Sequence, residues 1–216
     1  MQAKPSDIAL VYADDCLLVL NKPPGLLCVP GRGEDKRDCL SARVRIQFPD
    51  ALVVHRLDMA TSGLLVMART AGVQRILNHA FAAREVSKRY VAVVQGAVPA
   101  SDTWQTISLP ILVDWPRRPL RKIDPVHGKP SMTHWRCTSV DLRTNTSRLE
   151  LEPLTGRSHQ LRVHLQSMGH PILGDALYAP APVAAASARL LLHASQLGLV
   201  HPITGESMLW TCGAEF

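Results

Sequence analysis

The segment His55–Asp58, with the Thr61–Gly63 turn that follows it, has the residue types of an acid–base or nucleophilic site. Asp58 lies two residues after Arg56, and a nearby cation keeps a carboxylate ionised, as a nucleophile or base must be. The turn can fix the loop through hydrogen bonds, and Gly63 permits a close approach or an unusual φ. An aspartate in a loop more commonly caps a turn or pairs with an arginine. The segment alone therefore leaves a catalytic and a structural role open for Asp58.

A cation and an aromatic ring elsewhere in the chain could serve such a carboxylate. Arg157 lies where a helix is expected to begin, near Ser158, and a cation there opposes the helix dipole. An arginine beside free N–H groups would suit a phosphate or a carboxylate, and the alternative is an arginine that reaches solvent or a neighbouring strand. Tyr90 follows Lys88 and Arg89, so its ring could stack on a base, although tyrosines that begin strands are commonly packing residues.

Other common site chemistries lack their residue patterns. His159 and His164 are five residues apart, which does not match a helical zinc pair, and His193 falls in an apolar run typical of a core histidine. No Gly-x-Ser-x-Gly motif occurs, and Pro30–Gly33 lacks the Lys-Ser/Thr of a phosphate-binding loop. A metal centre, a serine hydrolase and a P-loop nucleotide site are therefore not predicted.

The charge balance suggests a polyanionic partner. The chain has 216 residues, enough for one domain with a sizeable core, and a formal net charge of +6. A positive charge is compatible with RNA without establishing it. Basic residues cluster at 32–37, 84–89, 117–122 and 157–162, where contacts to phosphates would position an RNA without reading its sequence. The alternative for each cluster is a solvated surface.

The cysteines and the N-terminus indicate the compartment. Five scattered cysteines without a Cys-x-x-Cys pair favour a reducing environment and argue against a disulfide framework. Residues 1–7 lack the apolar stretch of a signal peptide, and no apolar run is long enough to span a membrane. We therefore expect a cytoplasmic protein.

The elements that must position these residues are mostly strands. Alternating and apolar runs predict strands at 8–12, 16–20, 64–68, 90–94, 132–140, 147–154, 190–200 and 207–211. Helices are expected at 39–48 with Asp38 as cap, and from Ser158 to Gly169. Because strands outnumber helices and neighbours are close in sequence, the pattern favours an α+β fold on a large, mostly antiparallel sheet.

One further helix and two irregular segments complete the prediction. The clearest helix has Thr70 as its N-cap and one apolar face, formed by Val73, Ile76, Leu77, Ala80 and Phe81. Residues 110–130 contain five prolines and are expected to form a long irregular segment of the kind that is often functional. Residues 179–188 are expected to be a surface loop or a weak helix.

Several motifs in this order resemble one family, the RluA family of pseudouridine synthases, which isomerise uridine in RNA. The resemblance covers nearly the whole chain and rests on Asn21–Gly25, His55–Gly63, Lys88–Tyr90, Gly156–His164, Gly169–Asp175 and Leu192–Ala194.

The resemblance implies roles for four residues. Asp58 would be the catalytic residue, Tyr90 would pack against the target uracil, and Arg157 would pair with Asp58. Arg56 would contact RNA beside a flipped nucleotide. Asp58 could attack C1′ of the ribose, attack C6 of the uracil or remove a sugar proton, and the sequence does not choose among these. The implied fold is a mixed, mainly antiparallel sheet with flanking helices and a central cleft, and the implied reaction needs no cofactor or metal.

A finer resemblance concerns the substrate. Asp114–Pro119 and the pair Met59-Ala60 resemble the dual-specificity members of the family, which act on uridine 746 of 23S rRNA and uridine 32 of tRNA. We expect residues 1–216 to form a single catalytic domain without the N-terminal S4 RNA-binding domain of many relatives. The expected partner is structured RNA rather than a membrane, and the expected state is a monomer.

Three alternatives stay open at this point. The chain could be a synthase of the same family for other rRNA or tRNA uridines. It could be a glycoside hydrolase, which usually needs a second carboxylate, with Glu150 and Glu152 as the nearest candidates. It could also be a non-catalytic RNA-binding protein, which would bind RNA in a salt-dependent way without isomerising it.

Overall fold

The computed structural model describes residues 8–216. Residues 1–7, whose sequence lacks the apolar stretch of a signal peptide, lie outside the described residues. Contacts divide the chain into two compact units. The first runs to Lys88 and resumes over Ala194–Glu215, and the second comprises Arg89–His193 and Phe216. This division does not test the expectation of a single catalytic domain, which stays a prediction.

The described residues form twelve strands and four helices. The strands are β1 (Ala9–Ala13), β2 (Leu17–Lys22), β3 (Leu52–Val53), β4 (Ser62–Ala68), β5 (Ser87–Gln95), β6 (Gln105–Ser108), β7 (Ile111–Val113), β8 (Arg121–Ile123), β9 (Met132–Asp141), β10 (Thr146–Pro153), β11 (Leu192–Val200) and β12 (Ser207–Thr211). The helices are α1 (Leu40–Gln47), α2 (Ala71–Ala83), α3 (Gln160–Ser167) and α4 (Ala181–Ala185). Glu34–Lys36 add one turn of 3-10 helix.

The first unit is built around β4, in which every residue is buried. Strand β2 lies between β1 and β4 in antiparallel pairs, β3 also pairs with β4, and β12 pairs with β11. Apolar side chains from β2, β4, α2, β11 and β12, together with Val86, form one core cluster. Its members are Leu17, Val19, Leu64, Val66, Ala68, Val73, Leu77, Val86, Leu197, Leu199 and Trp210. Because β4 follows the Asp58 loop directly, this core gives the loop a rigid base.

The two predicted helix caps have different outcomes. The Thr70 hydroxyl accepts a hydrogen bond from the Val73 N–H at 3.2 Å, so this predicted N-cap of α2 is confirmed. The prediction that Asp38 caps α1 is wrong, because Cys39 occupies the N-cap position. The Asp38 carboxylate is bound by the Arg43 guanidinium at 2.7 and 2.8 Å instead.

The predicted apolar face of α2 is too wide by one residue. Val73 and Leu77 are buried, and Ala80 and Phe81 pack against the core. Ile76 is 46% exposed, so this member of the apolar face does not pack into the core. It lies at the edge of the face, where periodicity alone does not show how far the neighbouring elements extend.

The second unit contains an antiparallel set of strands in the order β5-β10-β9-β6. Buried and half-buried residues alternate along β10, so the predicted strand is confirmed and one of its faces is wetter than the other. Helix α3 contacts β10 and β8. It begins at Gln160, two residues later than predicted, so Arg157 precedes its first turn.

The prediction of a wholly irregular segment at 110–130 is wrong in part. Strands β7 and β8 pair as a separate two-stranded sheet. Each has only three residues, too few to display an alternating pattern, and the surrounding prolines obscure it further. Strands β3 and β6 were not predicted either. The remaining strands match the predictions within a few residues, and the α+β fold with mainly antiparallel pairing is confirmed.

Candidate active site

The loop that carries Asp58 is held on both sides of that residue. On one side, the Leu57 N–H donates to the Cys28 sulfur and the Cys28 thiol donates to the Leu57 carbonyl, both at 3.2 Å. On the other side, the Met59 carbonyl accepts from the Gly25 N–H at 2.9 Å. The Asp58 carbonyl itself accepts from the Thr61 N–H at 3.1 Å and closes a turn. The backbone of Asp58 is thereby fixed, while its side chain stays half-buried.

Lys22 also fixes this loop through hydrogen bonds of its side chain. Its side chain is fully buried, and its ammonium donates to the carbonyls of Pro23 at 2.8 Å, Leu26 at 2.9 Å and Met59 at 3.0 Å. A buried ammonium is costly unless it is hydrogen-bonded, and these three acceptors satisfy its three donors. Lys22 therefore joins the end of β2 to the residue after Asp58. The sequence motif contained this lysine but did not reveal its role.

Cys28 acts as a neutral thiol in this arrangement. Burial raises its pKa, against smaller opposing contributions from the backbone hydrogen bond of Leu57 and the positive charges of Lys22 and Arg56. The negative charge of Asp58 also raises this pKa. A protonated sulfur can donate to the Leu57 carbonyl, as the geometry requires.

His55, the first residue of the motif, has a structural position. Its ring stacks on Phe81 with centroids 4.4 Å apart, and its Nε2 accepts from the Val66 N–H at 3.1 Å. Burial, together with the positive charge of Lys88, lowers the pKa of His55 to about 3. The neutral imidazole therefore ties the start of the loop to β4 and α2.

Gly63 confirms the close approach that its residue type permits. Its φ is +111°, and an added Cβ would overlap the backbone nitrogen and carbonyl oxygen of Ala194. Thr61 and Ser62 just before it are each 3% exposed. The turn after Asp58 is thus packed tightly against β11.

The other predicted site residues lie in both units. Arg56 is exposed in the same loop as Asp58. Tyr90 is half-buried in β5, where it pairs with Leu151 of β10. Arg157 is exposed in the turn before α3. The roles of all four residues stay predictions.

Gln160 organises the turn that carries Arg157, and sequence reasoning missed it. Its side-chain oxygen accepts from the Arg157 N–H at 3.1 Å and from the Thr155 hydroxyl at 2.7 Å. Its amide nitrogen donates to the Met132 carbonyl at 2.9 Å and to the Thr133 hydroxyl at 3.0 Å. The sequence shows a glutamine near the expected start of the helix. It does not show that the side chain is buried, and the burial is what gives Gln160 its role.

The carboxylates considered for a glycosidase are engaged in ion pairs. Glu150 binds Arg136 at 2.6 Å, and Glu152 lies 3.5 Å from Arg89. Both arginines also lie over the ring of Trp104. These contacts give Glu150 and Glu152 a structural role on the wetter face of β10.

One group among the described residues has the spacing of a metal site, namely Asp14, Cys16 and His201. The Asp14 carboxylate already accepts from the Cys16 N–H at 2.6 Å, the Tyr12 hydroxyl at 2.7 Å, the Leu17 N–H at 2.8 Å and the His201 Nε2 at 3.0 Å. Burial raises the pKa of Asp14, but the hydrogen bonds outweigh it and the net shift is downward. These bonds close the β1–β2 turn and account for the group as a structural cluster.

His193 is 4% exposed, which confirms the predicted core histidine. Within residues 8–216, no helix is long and apolar enough to cross a membrane.

Comparisons with known proteins identify the family. The family described as RNA pseudouridylate synthase matches residues 16–167. The chain belongs to this family. It is an RNA pseudouridine synthase, an isomerase of RNA uridines, as its motifs predict.

Curated relatives extend over almost the whole chain of this synthase. It is 45% identical to the "Dual-specificity RNA pseudouridine synthase RluA" of Escherichia coli K12, over 97% of this chain and 94% of the relative. It is 46% identical to the protein of the same name from Yersinia pestis, over 96% of this chain and 99% of the relative. The predicted resemblance to RluA is therefore confirmed.

Solved structures agree on the fold of the synthase. "Human RNA Pseudouridylate Synthase Domain Containing 1" has a TM-score of 0.80 and 29% identity, and the match covers 99% of this chain and 86% of the human one. "Human RNA Pseudouridylate Synthase Domain Containing 4" has a TM-score of 0.77 at 24% identity, covering 95% and 88%, and supports the fold alone.

Proposed function

We propose that this synthase modifies uridine 746 of 23S rRNA and uridine 32 of tRNA, with Asp58 as its catalytic residue. Two sets of observations support this assignment of the substrates. The relatives that share 45 to 46% of their residues with this chain are named as dual-specificity enzymes. Asp114–Pro119 and Met59-Ala60 also resemble that group.

The observation that carries the catalytic assignment is the way the Asp58 loop is held. Pseudouridine formation breaks the bond between N1 of uracil and C1′, turns the base and rejoins it through C5. A carboxylate that acts on C1′, on C6 or on a sugar proton must be positioned closely, and orientation supplies much of such catalysis. Cys28 and Lys22 fix the residues on either side of Asp58, which is the arrangement that this chemistry needs.

The remaining predicted residues would receive a flipped uridine. Extruding a base costs a few kcal/mol, which stacking and phosphate contacts can offset. We assign the stacking to Tyr90 and phosphate contacts to Arg56. Arg157 would pair with the Asp58 carboxylate and help to position it.

We also propose an oligomeric state, a compartment and a cofactor requirement for the enzyme. The enzyme would act as a monomer in the cytoplasm, on rRNA and tRNA stem-loops, without a metal or cofactor. The five cysteines are all free thiols, which supports a reducing compartment.

The catalytic assignment is tested with Asp58→Asn. This change keeps the size of the side chain but removes its charge, so tritium release from RNA labelled at uracil C5 should fall by at least about a thousandfold. Asp15→Asn, at a fully exposed carboxylate of the same unit, is the matched control and should keep full activity. Retained activity in a folded Asp58→Asn enzyme would remove Asp58 from the mechanism.

The substrate assignment needs a separate experiment. The enzyme is incubated with unmodified 23S rRNA and with unmodified tRNA, and pseudouridines are mapped by carbodiimide adducts and primer extension. The expected products lie at position 746 and at position 32. Modification at other uridines would support a synthase of the same family with different targets.

A further inference from the structure

An exposed tryptophan lies outside the proposed uridine site. The hairpin tip, defined as residues 114–120 between β7 and β8, presents Trp115 with 64% of its surface exposed. Trp135 and Trp210 are only 6% and 9% exposed. Tryptophan left in water on a protein surface commonly marks a binding contact, because its large ring gains most from burial.

A cation covers part of this ring. The guanidinium carbon of Arg118 lies 3.1 Å from the centroid of the Trp115 ring. One guanidinium can cover only one face, and the high exposure of Trp115 leaves the other face accessible. An arginine-backed indole is a stacking platform for a nucleobase, because every base presents a flat π-face and tryptophan binds it without regard to sequence.

The charge around the ring favours a nucleic acid over an apolar partner. Residues 114–124 contain four cations and two carboxylates, Asp114 and Asp124. The Arg117 side chain is 71% exposed although it binds Asp114 at 2.6 Å, and Lys122 is 47% exposed. Asp114 itself is buried, so cations dominate what the tip presents to a partner.

Hydrogen bonds within the tip hold its backbone in one conformation. Asp114 N–H donates to the Leu120 carbonyl and Leu120 N–H donates to the Arg117 carbonyl, both at 3.0 Å. The Arg117 Nε also donates to the Asp114 carboxylate at 2.7 Å. A platform that is already fixed loses little conformational entropy when a base stacks on it.

Contacts within the second unit connect the hairpin to the turn that carries Arg157. The Arg121 N–H donates to the Tyr178 hydroxyl at 2.9 Å, and this hydroxyl lies 2.6 Å from the His159 Nδ1. His159 is the N-cap of α3, two residues after Arg157. An RNA held near Arg157 therefore has the hairpin tip within reach.

We infer that the hairpin tip is a second RNA contact of this enzyme. An unpaired base of the substrate stem-loop stacks on the open face of Trp115, and Arg117 and Arg118 bind the flanking phosphates. The inference rests on the proposed stem-loop substrates. It assigns substrate binding, and no part of the chemical step, to the tip.

The test compares Trp115→Ala and Trp115→Phe in steady-state tritium release from uracil-labelled RNA stem-loops. Loss of one stacked base should raise KM about tenfold and leave kcat within about twofold. Phenylalanine keeps a ring and should stay close to wild type. Leu142→Ala and Arg143→Gln, in the exposed β9–β10 turn, are matched controls with unchanged KM.

Fluorescence gives an independent reading. RNA should quench the wild-type tryptophan emission, and Trp115→Phe should lose that part of the quenching. An unchanged KM in Trp115→Ala, an equal rise in the Leu142→Ala control, or equal quenching in wild type and Trp115→Phe would overturn the inference.

Failure of the proposed function gives a different pattern. Tritium release reports isomerisation of any labelled uridine, so a wrong target position alters the modification map and leaves the Trp115 comparison intact. A wrong assignment of Asp58 appears in kcat of Asp58→Asn, which the hairpin variants do not affect.

Discussion

Lys22 fixes the loop that carries Asp58, the residue proposed as catalytic. Its side chain is fully buried, and its ammonium donates to three carbonyls, one of which belongs to the residue after Asp58. Cys28 has the same function at Leu57 through a thiol that donates and accepts. The position of Asp58 is thus determined by two side chains that precede it by about thirty residues or more.

Lys22→Met should destabilise the enzyme and impair catalysis together. Methionine fills the space but leaves three carbonyls without their donor, so the free energy of unfolding should fall by about 2–4 kcal/mol. The Asp58 loop should loosen, and kcat should fall by more than the unfolded fraction explains. Urea unfolding and tritium release measure the two effects, with Lys129→Met at an exposed site as control. Unchanged stability would mean that the buried bonds of Lys22 contribute nothing net.

His55 should make the stability of the enzyme depend on pH. Its pKa is about 3 in the folded state, well below the ordinary 6.5, so the unfolded chain takes up a proton first as the pH falls. The stabilising contribution is complete above pH 6.5 and is lost progressively toward pH 3. Between pH 7.5 and pH 5 this one group should cost up to about 2 kcal/mol.

The variant His55→Phe keeps a ring against Phe81 and removes the titration. Urea unfolding at pH 5 and pH 7.5 should therefore give a smaller difference for this variant than for the wild type. The lowered pKa of His164, which burial causes, acts in the same direction and remains in both proteins. An identical pH dependence would show that His55 is protonated as readily when folded as when unfolded.

At the scale of elements, β4 and β11 meet where the motif ends. Gly63 at the start of β4 lies so close to the backbone of Ala194 that a side chain cannot fit. The turn after Asp58 therefore depends on a strand far away in sequence. The predicted helix α2 and the strand pairs β1–β2 and β9–β10 depend on local patterns instead.

Gly63→Ala should be among the most damaging small substitutions in the chain. The added methyl meets the Ala194 backbone, and φ of +111° is unfavourable for alanine, so a loss of more than about 3 kcal/mol of stability is expected. Gly213→Ala is the matched control, because no atom lies within 4 Å of its added Cβ. Thermal unfolding of both variants measures the difference. A loss no larger than that of the control would show that the strands can separate at this point without cost.

At the scale of the whole molecule, a positive net charge and paired buried polar groups suit an enzyme that acts on RNA. The net charge is +6. Among the described residues, no buried side-chain nitrogen or oxygen lacks a hydrogen-bond partner. Fully paired buried polar groups fix one arrangement of the chain, because any alternative would leave some of them unpaired.

RNA affinity should fall steeply with salt. Each phosphate contact releases counterions, so log Kd should rise linearly with log salt, and Arg118→Gln should lower the slope by about one unit if Arg118 contacts a phosphate. Filter binding of a tRNA stem-loop from 50 to 300 mM KCl measures both slopes. Arg143→Gln, at a side chain that is 93% exposed, should leave the slope unchanged. Equal slopes for wild type and Arg118→Gln would exclude a phosphate contact at Arg118.

The sequence by itself determined the family, the reaction and most helices and strands. Each of these follows from short motifs or from the periodicity of apolar residues along a few turns or one strand. Apolar periodicity gave α2 and the longer strands, and the motif around Asp58 indicated the chemistry. The tertiary structure decided what holds that motif. Lys22 reaches Met59 across 37 positions, and Cys28 reaches Leu57 across 29. It also decided that Trp115 stands exposed on an ordered hairpin. Such contacts join residues that are distant in sequence and close in space. The local periodicity of the sequence therefore does not predict them.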